Sequence, residues 1–308
     1  MADGRFAPSP TGDLHLGNLR TALLAWLFAR SSHSRFLVRM EDLDRVQASV
    51  IHEQSQIRDL SALGLDWDGD IVRQTERFDR YEAAIERLDA AGLTYPCYCS
   101  RREIREAISA PHEGPSPGGA YPGTCRHLTD RQRTEREASG RPPALRLRSD
   151  GAVVTVDDLV LGPITAAVDD VVLRRNDGVP AYHLAVVVDD AAQDVTQVVR
   201  AADLAPSAPS QRHLASLLDV APVGYAHVPL VLAPDGRRLA KRDGAVTLAD
   251  QATVGRSAEE VRAVLAASLG LAEPGEQPTT ADLLLRFSPA ALPTRPWVLP
   301  QNLLAPRR

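Results

Sequence analysis

The sequence predicts an α/β fold, a parallel sheet with crossover helices, carrying a cysteine-bearing insertion and a short helical C-terminal region. Three observations predict it. Strand-like and helix-like segments alternate through the first 91 residues. The texture changes between Pro96 and Asp150, where all three cysteines fall, followed by a Pro/Gly-rich stretch from Pro111 to Gly123. Helical patterns return at Ala258 to Leu269 and Thr280 to Arg286, ahead of a proline-rich tail. With 308 residues, 44% hydrophobic and 24% charged, the chain suits a substantial core and two domains.

In chain order, Gly4 to Pro8 reads as a short extended segment. Gly12 to Asn18 then turns into an apolar helical run through Arg30. Arg35 to Met40 reads as a strand, and Ser49 to Leu63 and Phe78 to Ala91 as helices. Ala144 to Arg148, Val153 to Val156 and Val171 to Arg174 are short strands around the insertion. The apolar run Tyr182 to Val188, closed by Asp189-Asp190, reads as a buried strand returning to the main sheet. Thr196 to Arg200 reads as another strand and Ser207 to Leu218 as a helix; no internal repeat is present. In such a sheet the ligand sits beyond the carboxyl ends of the strands, where Gly12 to Asn18 lies.

Two local signals point to phosphate chemistry. In Arg5-Phe6-Ala7-Pro8-Ser9-Pro10-Thr11-Gly12-Asp13-Leu14-His15-Leu16-Gly17-Asn18 a strand leads through a Gly-containing turn into a helix N-terminus. Free backbone N–H groups and the helix dipole suit an anion there. His15 would donate to a phosphate oxygen, and Gly17 would leave space for a flat ring. The second signal is compositional: of 35 cationic residues one is lysine, Lys241, in the loop Asp235 to Gly244. A compact ammonium on a flexible stem follows a phosphate through a reaction better than a planar fork does.

The cysteines form a third group, Cys97-Tyr98-Cys99 and Cys125. Zinc takes four ligands and favours thiolates in structural sites. Tyr121, His112 and His127 are candidates for the fourth, and three buried thiols without metal are the plain alternative.

The stretch Arg5 to Asn18 resembles the HIGH signature of class I aminoacyl-tRNA synthetases, in the form used by glutamyl-tRNA synthetases. The match continues through Arg35 to Asp44, Ala181 to Asp190 and Val195 to Asp203, in order, to about Asp250. On this resemblance the Lys241 loop corresponds to the KMSKS signature. Arg238 stands for its first lysine, Ala240 for its serine, without the hydroxyl, and Lys241 for its second lysine. The resemblance implies a Rossmann-like catalytic domain in two halves, 1–95 and 181–245. A zinc-binding, acceptor-type insertion (96–180) would lie between them, and a short helical stem-contact-like region (246–308) would follow.

It also implies roles. Pro8, Thr11, Gly12, His15, Gly17, Asn18, Arg238, Leu239, Ala240, Lys241 and Arg242 would bind ATP with Mg2+, with His15 and Lys241 catalytic. Arg5, Phe6, Ala7, Pro8, Ser9, Glu41, Tyr182 and Arg200 would bind L-glutamate. A ligand with two carboxylates and one ammonium needs cations, donors and one carboxylate, and Arg5, Ser9, Glu41, Tyr182 and Arg200 supply that set. Taken singly, Glu41 and Arg200 each read more readily as an ordinary surface ion pair. For the metal, the resemblance selects Cys97, Cys99, Tyr121 and Cys125 as ligands of one structural Zn2+ per chain.

Only 67 residues follow Lys241, too few for both the stem-contact region and the anticodon-binding half of a full glutamyl-tRNA synthetase. The expectation is a short paralogue that activates glutamate with ATP in the absence of tRNA. It would transfer the glutamyl group to the queuosine base at the anticodon wobble position of tRNA(Asp). The rivals are a truncated enzyme charging a tRNA 3′ end, a small nucleotidyltransferase sharing the turn, and a non-catalytic tRNA- or amino-acid-binding paralogue. A net charge of −5 gives no whole-chain pull towards nucleic acid, so a tRNA partner needs a local basic surface. One candidate is Arg126 to Arg148, with Arg131, Arg133, Arg136, Arg141 and Arg146 between; a plain solvated face is the alternative. No apolar run approaches the roughly 20 residues of a membrane helix, and no signal sequence is evident. A cytoplasmic monomer with free or metal-bound thiols is therefore expected.

Overall fold

The computed structural model describes residues 3–104, 121–239, 243 and 246–304. The main sheet has seven strands in the order β3-β2-β1-β9-β10-β6-β7. Here β1 is Gly4–Phe6, β2 Phe36–Met40, β3 Val72–Arg73, β6 Val153–Asp158, β7 Gly162–Ala167, β9 Gln197–Ala201 and β10 Gly224–Val228. All pairings are parallel except the β6–β7 hairpin. The chain moves outward from β1 in one direction through β2 and β3. It later returns to β1's other side with β9, so the strand order reverses between β1 and β9. In open α/β sheets such a switch point is where the ligand crevice lies, at the carboxyl edge of the strands.

Helix α1, Leu16–Ser31, explains why the two ends of the sequence pack together. It is apolar nearly all round, with Leu19, Leu23, Leu24, Leu27 and Phe28 buried. Such a helix needs cover on both sides. It packs on β2 and β9 of the sheet and against the helix Thr280–Arg286, in one core with Val38, Val199, Val261, Leu265 and Leu283. The buried Arg20 of α1 donates to Ser268 Oγ (3.0 Å) and to the Pro229 carbonyl (3.0 Å), tying the helix to both. The helices Leu248–Thr253, Ala258–Ala267 and Thr280–Arg286 therefore share the main core. The tail returns as β12, Trp297–Val298, beside β11, Val231–Leu232.

A second sheet joins β4 (Thr94–Cys97), β5 (Ala144–Leu147) and β8 (Val172–Arg174). It carries the cysteine segment, whereas β6 and β7, which lie between β5 and β8 in sequence, extend the main sheet through Tyr225 opposite Asp158. Among the described residues, no helix is long and apolar enough to cross a membrane.

Most of the expected elements appear within a residue or two, among them the helices Val50–Ala62 (α2), Phe78–Ala90 (α3) and Ala208–Leu217. One is of the wrong type. Tyr182 to Val188 is not a strand of the main sheet but the start of a helix, Tyr182–Ala192. A short apolar run is compatible with either structure. What decides is the pair that closes it. In a helix successive side chains diverge by about 100°, so Asp189 reaches Arg77 and Asp190 reaches Arg5, with Arg39 paired to both, while both stay buried.

Candidate active site

At the switch point, His15 is the N-cap of α1. Its Nδ1 accepts from the backbone N–H groups of Gly17 (3.0 Å) and Asn18 (3.2 Å), while the Asn18 side chain accepts from the His15 N–H (3.2 Å). The Leu16 N–H donates to the Val246 carbonyl at 2.8 Å. The expected open cradle of backbone N–H groups is therefore absent: these donors serve the cap. The positive helix end is passed to the imidazole, because a neutral ring with Nδ1 accepting holds its proton on Nε2. At Gly17 a Cβ would stand 2.9 Å from His15 Cε1 and 3.0 Å from Nδ1. The space above Gly17 holds the histidine's own ring. Gly17→Ala should displace that ring and lower ATP–pyrophosphate exchange, by up to about 100-fold. Little further loss is expected when it is combined with His15→Ala, and additive losses would show the two act separately.

The approach to the cap is stapled from α2. Gln56 Nε2 donates to the carbonyls of Ser9 (3.0 Å) and Gly12 (2.7 Å), shaping the turn that exposes Ser9 and Thr11. Phe6 and Pro8 are buried beneath it and Ala7 is half-buried.

The amino-acid pocket residues come together, and neither Glu41 nor Arg200 is a surface ion pair. Arg5 on β1 donates from Nε to Asp190 at 3.1 Å. Arg39, wholly buried on β2, bridges Asp190 (2.8 Å) and Glu41 (3.4 Å). Glu41 is held in the wall by its own N–H, which donates to the Pro8 carbonyl at 2.9 Å. Burial pushes its carboxyl above the usual range, against the pull of Arg39 and Arg5. A ligand ammonium would restore its charge. Asp189 anchors the same helix to Arg77 (2.6 Å), Tyr81 (2.8 Å) and Gln74 (2.9 Å).

Arg200 lies near the carboxyl end of β9, on the other side of β1 from Glu41, and is 5% exposed. Its hydrogen-bond partners are all neutral: His227 Nε2 (2.9 Å), Gln211 Oε1 (2.8 Å), Tyr182 Oη (3.3 Å) and the Leu204 carbonyl (3.3 Å). A buried guanidinium oriented in this way offers its charge to an anionic ligand. Asp190, Arg39, Gln56 and His227 were not singled out from the sequence. The signal available was a charged or imidazole side chain inside an apolar strand, as in Phe-Leu-Val-Arg-Met and Gly-Tyr-Ala-His-Val.

Lys241, with its neighbours Ala240 and Arg242, lies outside the described residues; Leu239 is buried. The flanks of the loop are described. Arg238 forms an ion pair with Asp203 at 2.7 Å and bridges to Leu232. Thr247 bridges to His15. Both ends of the loop are thus fastened to the crevice, one of them at the histidine itself.

The thiols of Cys97, Cys99 and Cys125 lie within 4.8 Å of one another. Tyr121 Oη stands 3.3 Å from Cys97 Sγ and 3.6 Å from Cys99 Sγ, and Cys99 and Cys125 Sγ are 3.5 Å apart. Tetrahedral zinc with Zn–S near 2.3 Å requires ligand separations of about 3.8 Å, so the four atoms fit the ion. Of the other candidates, His127 is exposed and His112 lies outside the described residues. The Cys125 N–H donates to Tyr121 Oη (2.9 Å) and the Arg146 guanidinium lies 3.8 Å over the Tyr121 ring, both favouring negative charge on that oxygen.

The expected basic surface is largely neutralised. Arg146 is buried, Arg126 pairs with Asp170, Arg131 with Glu135 (2.9 Å), and Arg136 and Arg141 with Glu103 (3.7 and 3.4 Å).

The profile of a family described as tRNA synthetases class I (E and Q), catalytic domain, matches residues 2–271. A protein of Nocardia farcinica named glutamyl-Q tRNA(Asp) synthetase is 62% identical over 97% of this chain and 93% of its own length. A second of that name, from Symbiobacterium thermophilum, is 46% identical over 99% of this chain and 98% of its own. Among solved structures, a glutamate tRNA ligase from Elizabethkingia meningosepticum CCUG26117 in complex with its amino acid matches with a TM-score of 0.83. Its sequence is 25% identical, and the match covers 98% of this chain and 68% of that one.

Proposed function

The chain belongs to the class I tRNA synthetases of the E and Q type, and from that premise we propose that it is a glutamyl-Q tRNA(Asp) synthetase. It activates L-glutamate with ATP and Mg2+ and transfers the glutamyl group to the queuosine base of tRNA(Asp). The observation that carries the choice of glutamate is the pairing of opposites across the crevice. Arg200 faces it as a buried guanidinium with neutral partners, and Glu41 as a carboxylate lacking full compensation.

Arg200 takes the carboxylate that does not react, and Glu41 the ammonium. The α-carboxylate is left towards His15. Its oxygen forms a bond to the α-phosphorus of ATP as the bond to the β-phosphate oxygen breaks, yielding glutamyl-adenylate and pyrophosphate. The protein contributes position and charge rather than a covalent intermediate. His15 Nε2–H and the Lys241 ammonium would meet the phosphate charge, and Mg2+ arriving with ATP would supply further charge stabilisation there. A queuosine ring hydroxyl then attacks the acyl carbon and AMP leaves. ATP–pyrophosphate exchange with purified protein tests this: it should require glutamate, reject glutamine and proceed without tRNA. Exchange that needs tRNA, or none at all, would refute it.

Cys97, Cys99, Tyr121 and Cys125 hold a structural zinc that fixes the segment beyond β4. Tyr121→Phe should weaken zinc retention against a chelating dye by about tenfold or more while leaving glutamate-dependent exchange close to wild type. Equal retention in the variant would remove Tyr121 from the ligand set. In this reading the domain boundaries stay near residues 95, 180 and 245, with the β6–β7 hairpin assigned to the catalytic sheet. The working unit is one chain.

A further inference from the structure

Behind Arg200 lies a pair of side chains shut off from solvent. His227 on β10 and Asp158 at the end of β6 are both fully buried, with His227 Nδ1 2.6 Å from Asp158 Oδ2. His227 is the register partner of Arg200 across the sheet. Arg200 Nε–H can only donate, so His227 Nε2 must present a lone pair, and the ring proton sits on Nδ1, where Asp158 accepts it. Asp158 also accepts the backbone N–H groups of Val160 (2.9 Å), Leu161 (2.8 Å) and His227 (3.0 Å), which hold the carboxylate in place. Tyr225 closes the stack, 5.6 Å from the His227 ring at 11° and 5.1 Å under the Arg200 guanidinium.

The contrast with Arg5 gives the arrangement its meaning. Arg5 Nε–H donates to a carboxylate, Asp190, which both orients and neutralises it. Arg200 Nε–H donates to an imidazole, which orients without neutralising. We propose that His227 and Asp158 are positioning residues that make Arg200 a selector for a carboxylate over a carboxamide. The uncharged acceptor fixes the guanidinium plane, and the carboxylate behind it fixes which nitrogen is the acceptor. An acid at position 227 would cancel the charge that the ligand reads. A glutamine side chain gains far less than glutamate from an uncompensated guanidinium, because the charge-assisted bidentate pair is lost. This inference rests on the glutamate pocket proposed above.

Two substitutions of similar polarity separate orientation from packing. In His227→Gln the amide oxygen reaches the place of Nε2, whereas in His227→Asn it reaches only the place of Nδ1. His227→Asn should raise the glutamate KM by about tenfold or more and narrow the glutamate-to-glutamine ratio of kcat/KM, with the KM for ATP unchanged. His227→Gln should recover most of the loss. Equal behaviour of the two variants, or an ATP KM that moves with that of glutamate, would overturn the proposal. The wild-type protein supplies a test independent of folding of the variants: 15N chemical shifts should assign His227 as the Nδ1–H tautomer, and the Nε2–H tautomer would overturn it. Arg200→Leu distinguishes the two levels. If it leaves the glutamate KM unchanged, the pocket assignment itself fails. If it raises that KM while His227→Asn does not, only the role of the pair fails.

Discussion

Replacing Lys241 by alanine should lower ATP–pyrophosphate exchange by roughly 100- to 1,000-fold, as the loss of a donor aimed at developing charge does elsewhere. Glutamate binding without ATP, read by calorimetry, should stay nearly intact. The expectation rests on composition and on how the loop is fastened. Every other cation in the chain is arginine. The residues before Lys241 are tied down by Arg238 on Asp203, and those after it by Thr247 and Val246 on His15 and Leu16. The described flanks of the loop thus lie at Asp203 on one side and at His15 on the other, although 226 residues separate Lys241 from His15 in sequence. Lys241→Arg should also be crippled, because it keeps the charge but replaces a compact ammonium with a wider, planar group. Unchanged exchange in Lys241→Arg would contradict the role given to this residue.

The second large effect is expected at Asp190, which a reading confined to ligand contacts would pass over. Its carboxylate lies between Arg5 and Arg39, both buried, and Asp190→Asn leaves two cations to share Glu41 and Asp189. Breaking a buried ion pair by neutralising one partner typically costs about 3–5 kcal/mol. A large fall in thermal midpoint should therefore accompany a glutamate KM raised by about tenfold or more, since Glu41 is drawn to the arginines and away from the ligand ammonium. The pH dependence carries a sign. Burial pushes the Asp190 carboxyl up, but Arg5 and Arg39 outweigh it and hold it below its usual range. The stabilisation is therefore full above the unfolded value of about 3.9 and is lost as pH falls from there through the depressed native value. Asp190→Asn should flatten that acid limb of unfolding. An unaltered limb with wild-type stability would show that the network does not hold the pocket.

Much of the fold was legible because its signals are local. The turn at Gly12 to Asn18, the apolar α1 and the strand Phe36–Met40 each announce themselves by spacing and composition. The helix Tyr182–Ala192 did not, because its type is set by where Asp189 and Asp190 find arginines up to 185 residues away. The same limit applies to the site. Arg5, His15, Glu41, Tyr182 and Arg200 were named from a motif string. Those that aim them, Arg39, Gln56, Asp158, Asp190 and His227, act through partners that only the fold brings near. Residue type alone does not show what a group serves: Gly17 makes room for the ring of His15, and most of the Arg126 to Arg148 cations have acidic partners.

The central claim is that this site loads glutamate onto a modified base rather than onto a tRNA terminus. Two preparations of tRNA(Asp), identical except for queuosine at the wobble position, decide it when incubated with the protein, ATP, Mg2+ and radiolabelled glutamate. The queuosine-containing tRNA alone should be labelled, and periodate oxidation of its 3′ end, with the queuosine diol protected, should leave that labelling unchanged. Equal labelling of both preparations, or labelling of tRNA(Glu) at its 3′ end instead, would contradict the account.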